Sequence, residues 1–252
     1  MKKRHMMTVI ANDEVALETF ELVLHNKVIA KEAKPGQFLH ISVPGHTLRR
    51  PISIADVERE KGEVTILFKV VGSGTNQLAT LQEKETVDVL GPNGSSYPFD
   101  SLQKGDTVLL IGGGIGVPPL YFLAKTLYEK EVNVQCILGF QSKEYVFYEE
   151  QFVQIADVQI VTDDGSYGAK GLVTDVIAEV APFKQYYSCG PLPMLRAVKE
   201  KLANRDGYLS FEERMGCGVG ACYACVIPTN DAVGYKKICS DGPVMRASEV
   251  NI

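Results

Sequence analysis

The chain has 252 residues, 45% of them hydrophobic, and carries 26 Lys and Arg against 31 Asp and Glu, a formal charge of −5. A chain of this size buries a sizeable core in one or two ordinary domains with a small appendage. Its acidic balance leaves no basic footprint for nucleic acid or an anionic membrane surface. The basic start, Met1-Lys2-Lys3-Arg4-His5-Met6-Met7, is not followed by the apolar stretch of a secretory signal, which points to a cytoplasmic protein.

Over 1–98 the chain reads as short β-type runs punctuated by turn residues, with clear examples at 37–43 and 63–71. Such punctuation suggests a small antiparallel barrel. One helical stretch is expected near 75–81, after Gly72-Ser73-Gly74, and Gly91-Pro92-Asn93-Gly94 with Pro98 closes the segment. Over 99–210 the rhythm changes to strand then helix, at 107–111, 117–130, 132–138, 158–162, 172–180, 185–188 and 191–202. Alternation of this kind implies a parallel sheet with helices on both faces. The longest uncharged run, 107–124, belongs to this pattern, because Gly112-Gly113-Gly114, Gly116 and Pro118-Pro119 break it into strand, turn and helix start. No membrane insertion is expected from it. Residues 211–252 are too few and too poor in apolar side chains to fold without a metal or their neighbours. The expected fold is therefore mixed β and α/β: a barrel, a Rossmann-like parallel-sheet domain and a small C-terminal segment.

That segment carries Cys217, Cys222, Cys225 and Cys239 in a C-x4-C-x2-C…C spacing, the plant-type arrangement for a 2Fe-2S cluster. Its glycines and alanines let backbone wrap closely, with N–H groups available to sulfur. Four thiolates also suit zinc, but structural zinc usually shows paired C-x2-C knuckles and only one such pair is present. Six cysteines used this way fit a reducing compartment better than a disulfide framework. Cys136, between Gln135 and Ile137 in a strand pattern, reads as core.

Gly112, Gly113, Gly114 and Gly116 form a strand-to-helix turn suited to a pyrophosphate at a helix N-terminus, although such turns also serve tight packing. The acidic residue expected about twenty positions later is missing, so spacing does not separate NAD from NADP. Cys189-Gly190-Pro191 again ends a strand and opens a helix, and the two turns would face one ligand at the carboxyl ends of the strands. Cys189 reads equally as a nicotinamide contact or a buried small side chain. A nicotinamide exchanges two electrons at once and a 2Fe-2S cluster one, so a flavin is implied between them. Arg50, Pro51, Ile52 and Ser53 offer a site, with guanidinium for pyrophosphate and hydroxyl for a ring nitrogen, and Gly74 with Thr75 adds a second phosphate-ready turn.

Arg50-Pro51-Ile52-Ser53 and Cys189-Gly190-Pro191 resemble the flavin and C-G-P motifs of the ferredoxin reductase superfamily. Together with Gly112 to Gly116, with Glu213-Arg214-Met215-Gly216-Cys217-Gly218-Val219-Gly220-Ala221-Cys222 and with Cys239-Ser240-Asp241-Gly242-Pro243, they resemble the electron-transfer subunits of NAD-linked (class 1B) dihydroorotate dehydrogenases over essentially the whole chain. The resemblance implies a flavin-binding barrel (1–98), an NAD-binding domain (99–210) and a 2Fe-2S segment (211–252). It also implies FAD against Arg50 to Ser53, against Leu67, Phe68 and Lys69, and on Gly74 and Thr75. Electrons would come from an FMN-containing dihydroorotate dehydrogenase catalytic subunit, two copies of each chain assembling, and leave on NAD as diffusible acceptor in pyrimidine synthesis. Nothing in the chain resembles a dihydroorotate pocket. Ile52 departs from the superfamily's tyrosine, which affects ring stacking. Docking near the cluster is expected through the Tyr223 face and the tail 241–252. The alternatives are an accessory subunit of another dehydrogenase, hydrogenase or transhydrogenase, and a zinc-stabilised nucleotide-binding regulator.

Overall fold

A computed structural model describes residues 3–252. Strands β1 (Arg4–Ala16), β2 (Thr19–His25), β3 (Phe38–Ile41), β4 (Arg50–Glu58), β5 (Glu63–Lys69) and β6 (Thr86–Asn93) close an antiparallel barrel in the order β1-β2-β5-β4-β3-β6. Alternate residues point inward, so Leu22, Leu24, Leu39, Ile41, Val64 and Ile66 fill the interior at no solvent exposure. Each such side chain contributes about 1.5–3 kcal/mol of apolar burial. Helices α1 (Lys27–Glu32) and α2 (Ser73–Ala79) cross between strands. Asn26 starts α1 by accepting the N–H groups of Val28 and Ile29, each at 3.1 Å.

The second sheet contains β7 (Thr107–Gly113), β8 (Asn133–Phe140), β9 (Asp157–Thr162), β10 (Ala169–Lys170), β11 (Gln185–Cys189) and β12 (Gly207–Ser210), all parallel. Beyond them, β13 (Val226–Pro228) and β14 (Tyr235–Lys237) pair with each other, and β15 (Val244–Arg246) returns to pair antiparallel with β12. The sheet order is β10-β9-β8-β7-β11-β12-β15, so the cysteine-bearing segment supplies its last strand.

Period-two alternation along β7 divides two cores. Val108 and Leu110 pack with α3 (Val117–Glu129) and the barrel's Ala55 and Leu67. Leu109 and Ile111 pack on the opposite face, with Leu195 and Val198 of α5 (Leu192–Lys201) and with Phe211, Met215, Cys225, Ile238 and Cys239. The strands and the two long helices follow the expected pattern to within two residues. Cys136 is core, at 2% exposure, and burial pushes its thiol up.

One expected helix is absent. Residues 172–180 form a loop of two tight turns, at 172–175 and at Ile177–Glu179, because Gly171 enters at φ +129° and the Asp175 carboxylate takes the Leu172 N–H at 2.8 Å. Valines at 173, 176 and 180 add β-branched resistance to a helix. The short helix α4 (Glu149–Val153), entered from Tyr148 at φ +62°, has no counterpart in the sequence pattern.

Barrel and sheet are tied by an ion pair: Lys125 Nζ of α3 lies 2.9 Å from Asp56 Oδ2 of β4, both side chains partly buried. Asp56→Asn leaves the ammonium without its counter-charge, at a cost of about 1 kcal/mol. Thermal unfolding at pH 7 is expected to shift down by about 2–4 °C; an unchanged midpoint would show the pair to be fully screened.

Candidate functional site

Two cavities adjoin where the barrel meets the sheet. The first, about 400 Å³, has Arg50, Pro51, Ile52 and Ser53 of β4 and Leu67, Phe68 and Lys69 of β5 on one side. Thr75 lies at its end, and Ile115, Pro243 and the run from Phe211 to Met215 close the other side. Gly74 stands behind Arg50. A Cβ there would fall 2.4 Å from Arg50 Nη2, so only glycine lets the guanidinium lie across the start of α2. The guanidinium is anchored by donating to the Leu48 carbonyl. Thr75 Oγ1 is engaged locally, accepting the Val71 N–H at 2.9 Å and donating to the Gly72 carbonyl at 3.1 Å. Ile52 is on the wall, and the aromatic surfaces there are Phe38, Phe68 and Phe211.

Sequence reasoning missed Glu212, Glu213 and Met215 as wall residues, since they come from a segment without helix or strand periodicity. Glu212 stands on the cavity wall with its side chain open to that space, and the protein mass around it raises its carboxyl above the usual carboxylate range.

The second cavity, about 420 Å³, opens at the carboxyl ends of the parallel strands. Gly113, Gly114, Ile115 and Pro191 form one wall, Phe140, Gln141 and Asp163 another, and Lys69 with Thr19 closes it from the barrel. Gly114 has φ +52° and open space at its Cβ position, whereas a Cβ on Gly116 would lie 2.4 Å from the Cys189 carbonyl oxygen. The glycine turn therefore divides its labour: Gly113 and Gly114 border the cavity, while Gly112, Gly116 and Gly190 permit close packing behind it. Cys189 is not on the wall of either cavity. Its thiol is fully buried, desolvation raises its pKa, and it neighbours Tyr97 and Ser210. That is the small-core alternative. Lys69 and Ile115 border both cavities.

The cysteine segment folds on the far side of the sheet from α3. Cys225 and Cys239 are buried, while Cys217 and Cys222 are half-buried. Cys217 Sγ accepts N–H bonds from Val219 at 3.5 Å and Cys222 at 3.3 Å, and Cys239 Sγ accepts one from Gly220 at 3.2 Å. Desolvation raises the Cys217 thiol, but those N–H groups outweigh it and bring the pKa down to about 6. Gly218 and Gly220, at φ +67° and +81°, turn the backbone so that its N–H groups aim at sulfur. Among the described residues no three His, Cys, Asp or Glu side chains converge on one metal-ion position. The donor set and its N–H groups fit a thiolate-held cluster. Outside the loop, Tyr223 is 63% exposed, with Lys237 Nζ 4.3 Å from the centre of its ring. The tail 241–252 differs from expectation, since Val244, Met245, Ala247 and Val250 are buried in the core.

Residues 7–97 match the family model "Oxidoreductase FAD-binding domain", and residues 212–251 match "Iron-sulfur cluster binding domain of dihydroorotate dehydrogenase B". The dihydroorotate dehydrogenase B (NAD(+)) electron transfer subunit of Bacillus caldolyticus is 49% identical over 98% of both chains. The chain belongs to this family. The corresponding subunit of Shouchella clausii is 48% identical over 99% of this chain and 98% of its own. Among solved structures, a chain from work on flavin-based electron bifurcation by NADH-dependent reduced ferredoxin-NADP oxidoreductase superposes with a TM-score of 0.88 at 31% identity, covering 98% of this chain and 90% of that one. A family of electron transfer subunits implies a catalytic partner subunit. Among the described residues no helix is long and apolar enough to cross a membrane.

Arg50→Ala removes the one guanidinium on the first cavity's β4 wall, and the purified protein is expected to lose most of its bound FAD, measured as flavin absorbance per chain. Full flavin content in the variant would take Arg50 out of the site.

Proposed function

We propose that this chain carries electrons from a dihydroorotate-oxidising partner to NAD, with FAD in the first cavity, NAD in the second and a 2Fe-2S cluster on Cys217, Cys222, Cys225 and Cys239. The observation that carries this reading is the shared wall of Lys69 and Ile115, which sets the two cavities side by side. FAD, when bound, supplies the exchange between two-electron and one-electron transfer. Arg50 pairs with its diphosphate, and Ser53 donates a hydrogen bond to the ring. Glu212 places a titratable carboxyl on the wall of the first cavity. Gly113 and Gly114 let the dinucleotide's diphosphate approach the start of α3. Ile115, Phe68 and Phe211 exclude water where the two ligands meet.

The partner in this reading is an FMN-containing catalytic subunit, two copies of each chain assembling in the cytoplasm. It docks on the face bearing Val219, Tyr223, Val226 and Val233, all exposed large side chains beside the cysteine loop. The likeness to the bifurcating oxidoreductase favours a second reading, an accessory subunit of a transhydrogenase. One experiment separates them. The chain is captured from its host lysate without oxygen and dihydroorotate is added with NAD. Reduction of NAD is expected; brisk NADH-to-dye activity without any response to dihydroorotate would instead assign the chain to another dehydrogenase.

Asp163 ends β9 on the second cavity's wall, and Lys69, on the barrel side, is the only Lys or Arg on that wall among the described residues. A carboxylate in this place accepts from a ribose diol and repels a 2′-phosphate. Asp163→Ser is expected to raise the NADPH-to-NADH ratio of kcat/KM in dye reduction by about tenfold, the equivalent of 1.4 kcal/mol. An unchanged ratio would place the selectivity elsewhere.

A further inference from the structure

We propose that His40 is the positioning residue that holds the cysteine loop at a fixed place relative to the flavin-binding strand. The inference rests on the assignment of the four cysteines as cluster ligands. β3 is only four residues long, and its two faces have different duties. Leu39 and Ile41 point into the barrel, whereas Phe38 and His40 point out of it. Phe38 borders the first cavity. His40, two residues along the same face and so about 7 Å away, is buried at 0% exposure. Its cross-strand neighbour on β4 is Pro51, between Arg50 and Ile52.

The His40 ring meets the cysteine loop at Gly218. A Cβ built on Gly218 would fall 2.1 Å from His40 Nδ1 and 2.6 Å from Cε1, so the imidazole edge lies directly on that backbone. Gly218 sits next to Cys217 and takes φ +67°, the conformation that aims the following N–H groups at the Cys217 sulfur. The His40 carbonyl is fixed in turn by the Arg49 guanidinium at 3.2 Å, which also pairs with Asp88 at 3.0 Å. A short strand face thus runs from flavin wall to cluster loop, with a rigid ring as its last contact. Histidine suits the post because a flat ring packs on a Cα while its Nδ1 edge presents a polar atom to backbone.

The role predicts that polarity at Nδ1, and not volume alone, sets the loop. The holoprotein is prepared without oxygen as wild type, His40→Leu and His40→Asn, the last keeping a polar atom near the Nδ1 position. Iron content, the electron paramagnetic resonance spectrum of the reduced cluster and the rate at which NADH reduces the cluster are measured, with FAD content as a control. His40→Leu is expected to shift the spectrum and slow cluster reduction by about tenfold or more. His40→Asn is expected to keep the wild-type spectrum and rate, and both variants to keep their FAD. Leu and Asn variants that behave alike, whether both normal or both impaired, would overturn the proposal.

Gly218→Ala gives a second test, because its methyl meets the ring. Loss of iron in Gly218→Ala is expected; full iron content in that variant overturns the contact. Wild-type protein that never holds iron would overturn the cluster assignment as well, whereas failure of dihydroorotate to reduce NAD in the captured complex would overturn only the partner.

Discussion

The two-sided character of β7 is the constraint from which the arrangement of the molecule follows. A central parallel strand must bury both faces, and its alternate residues choose different partners. Val108 and Leu110 face α3 and the barrel, and Leu109 and Ile111 face α5 and the cysteine segment. α3 with Ala55 and Leu67 of the barrel is thereby fixed on one side of the sheet and α5 with the cysteine segment on the other, where Phe38 of β3 reaches round to join them. A slip of one residue would exchange the two sets of contacts and separate the cavities.

The shared wall has a physical cost that the fold offsets locally. Lys69 brings a charge to the rim of two mainly apolar cavities. It lies 4.0 Å above the Tyr145 ring and 3.8 Å from Glu18 Oε2, partners that hold the ammonium without filling either space. Ile115 needs the opposite treatment. It follows Gly114 at φ +52°, and that turn lifts an aliphatic side chain to where both cavities meet. The close approach of Gly116 to the Cys189 carbonyl completes the arrangement, because any larger residue would push the turn out of line.

Much of this was legible in the sequence because local rules carry it. Period-two runs gave the barrel and the buried strands, and glycine with proline marked where β7 passes into α3. The cysteine spacing pointed to its donor set before any geometry was known. What escaped notice depends on distant chain segments. Glu212 becomes a wall residue only because β12 delivers it opposite β4, and Asp163 matters only because β9 ends beside β8 at the cavity. Residues 172–180 look helical in composition, yet Asp175 captures the Leu172 N–H and Val173 packs toward Gly139, so tertiary contacts override a weak local preference. Cys189 could not be placed from spacing, since a C-G-P turn looks the same with its thiol inside or outside.

The gradient of burial across the cysteine loop gives the molecule a direction. Cys225 and Cys239 are sealed against Ile238 and Met245 in the core, while Cys217 and Cys222 lie half-exposed beneath the Tyr223 face. A group held by all four would therefore have one side in low-dielectric protein and the other near the surface. N–H bonds to the Cys217 and Cys239 sulfurs stabilise negative charge there without bringing in water. Burial alone would disfavour that charge, so the donors and the glycines that orient them are as necessary as the thiols. An exposed face next to two sulfurs, with β3 of the barrel packed behind the same loop through His40, is an arrangement suited to passing electrons inward from a docked protein.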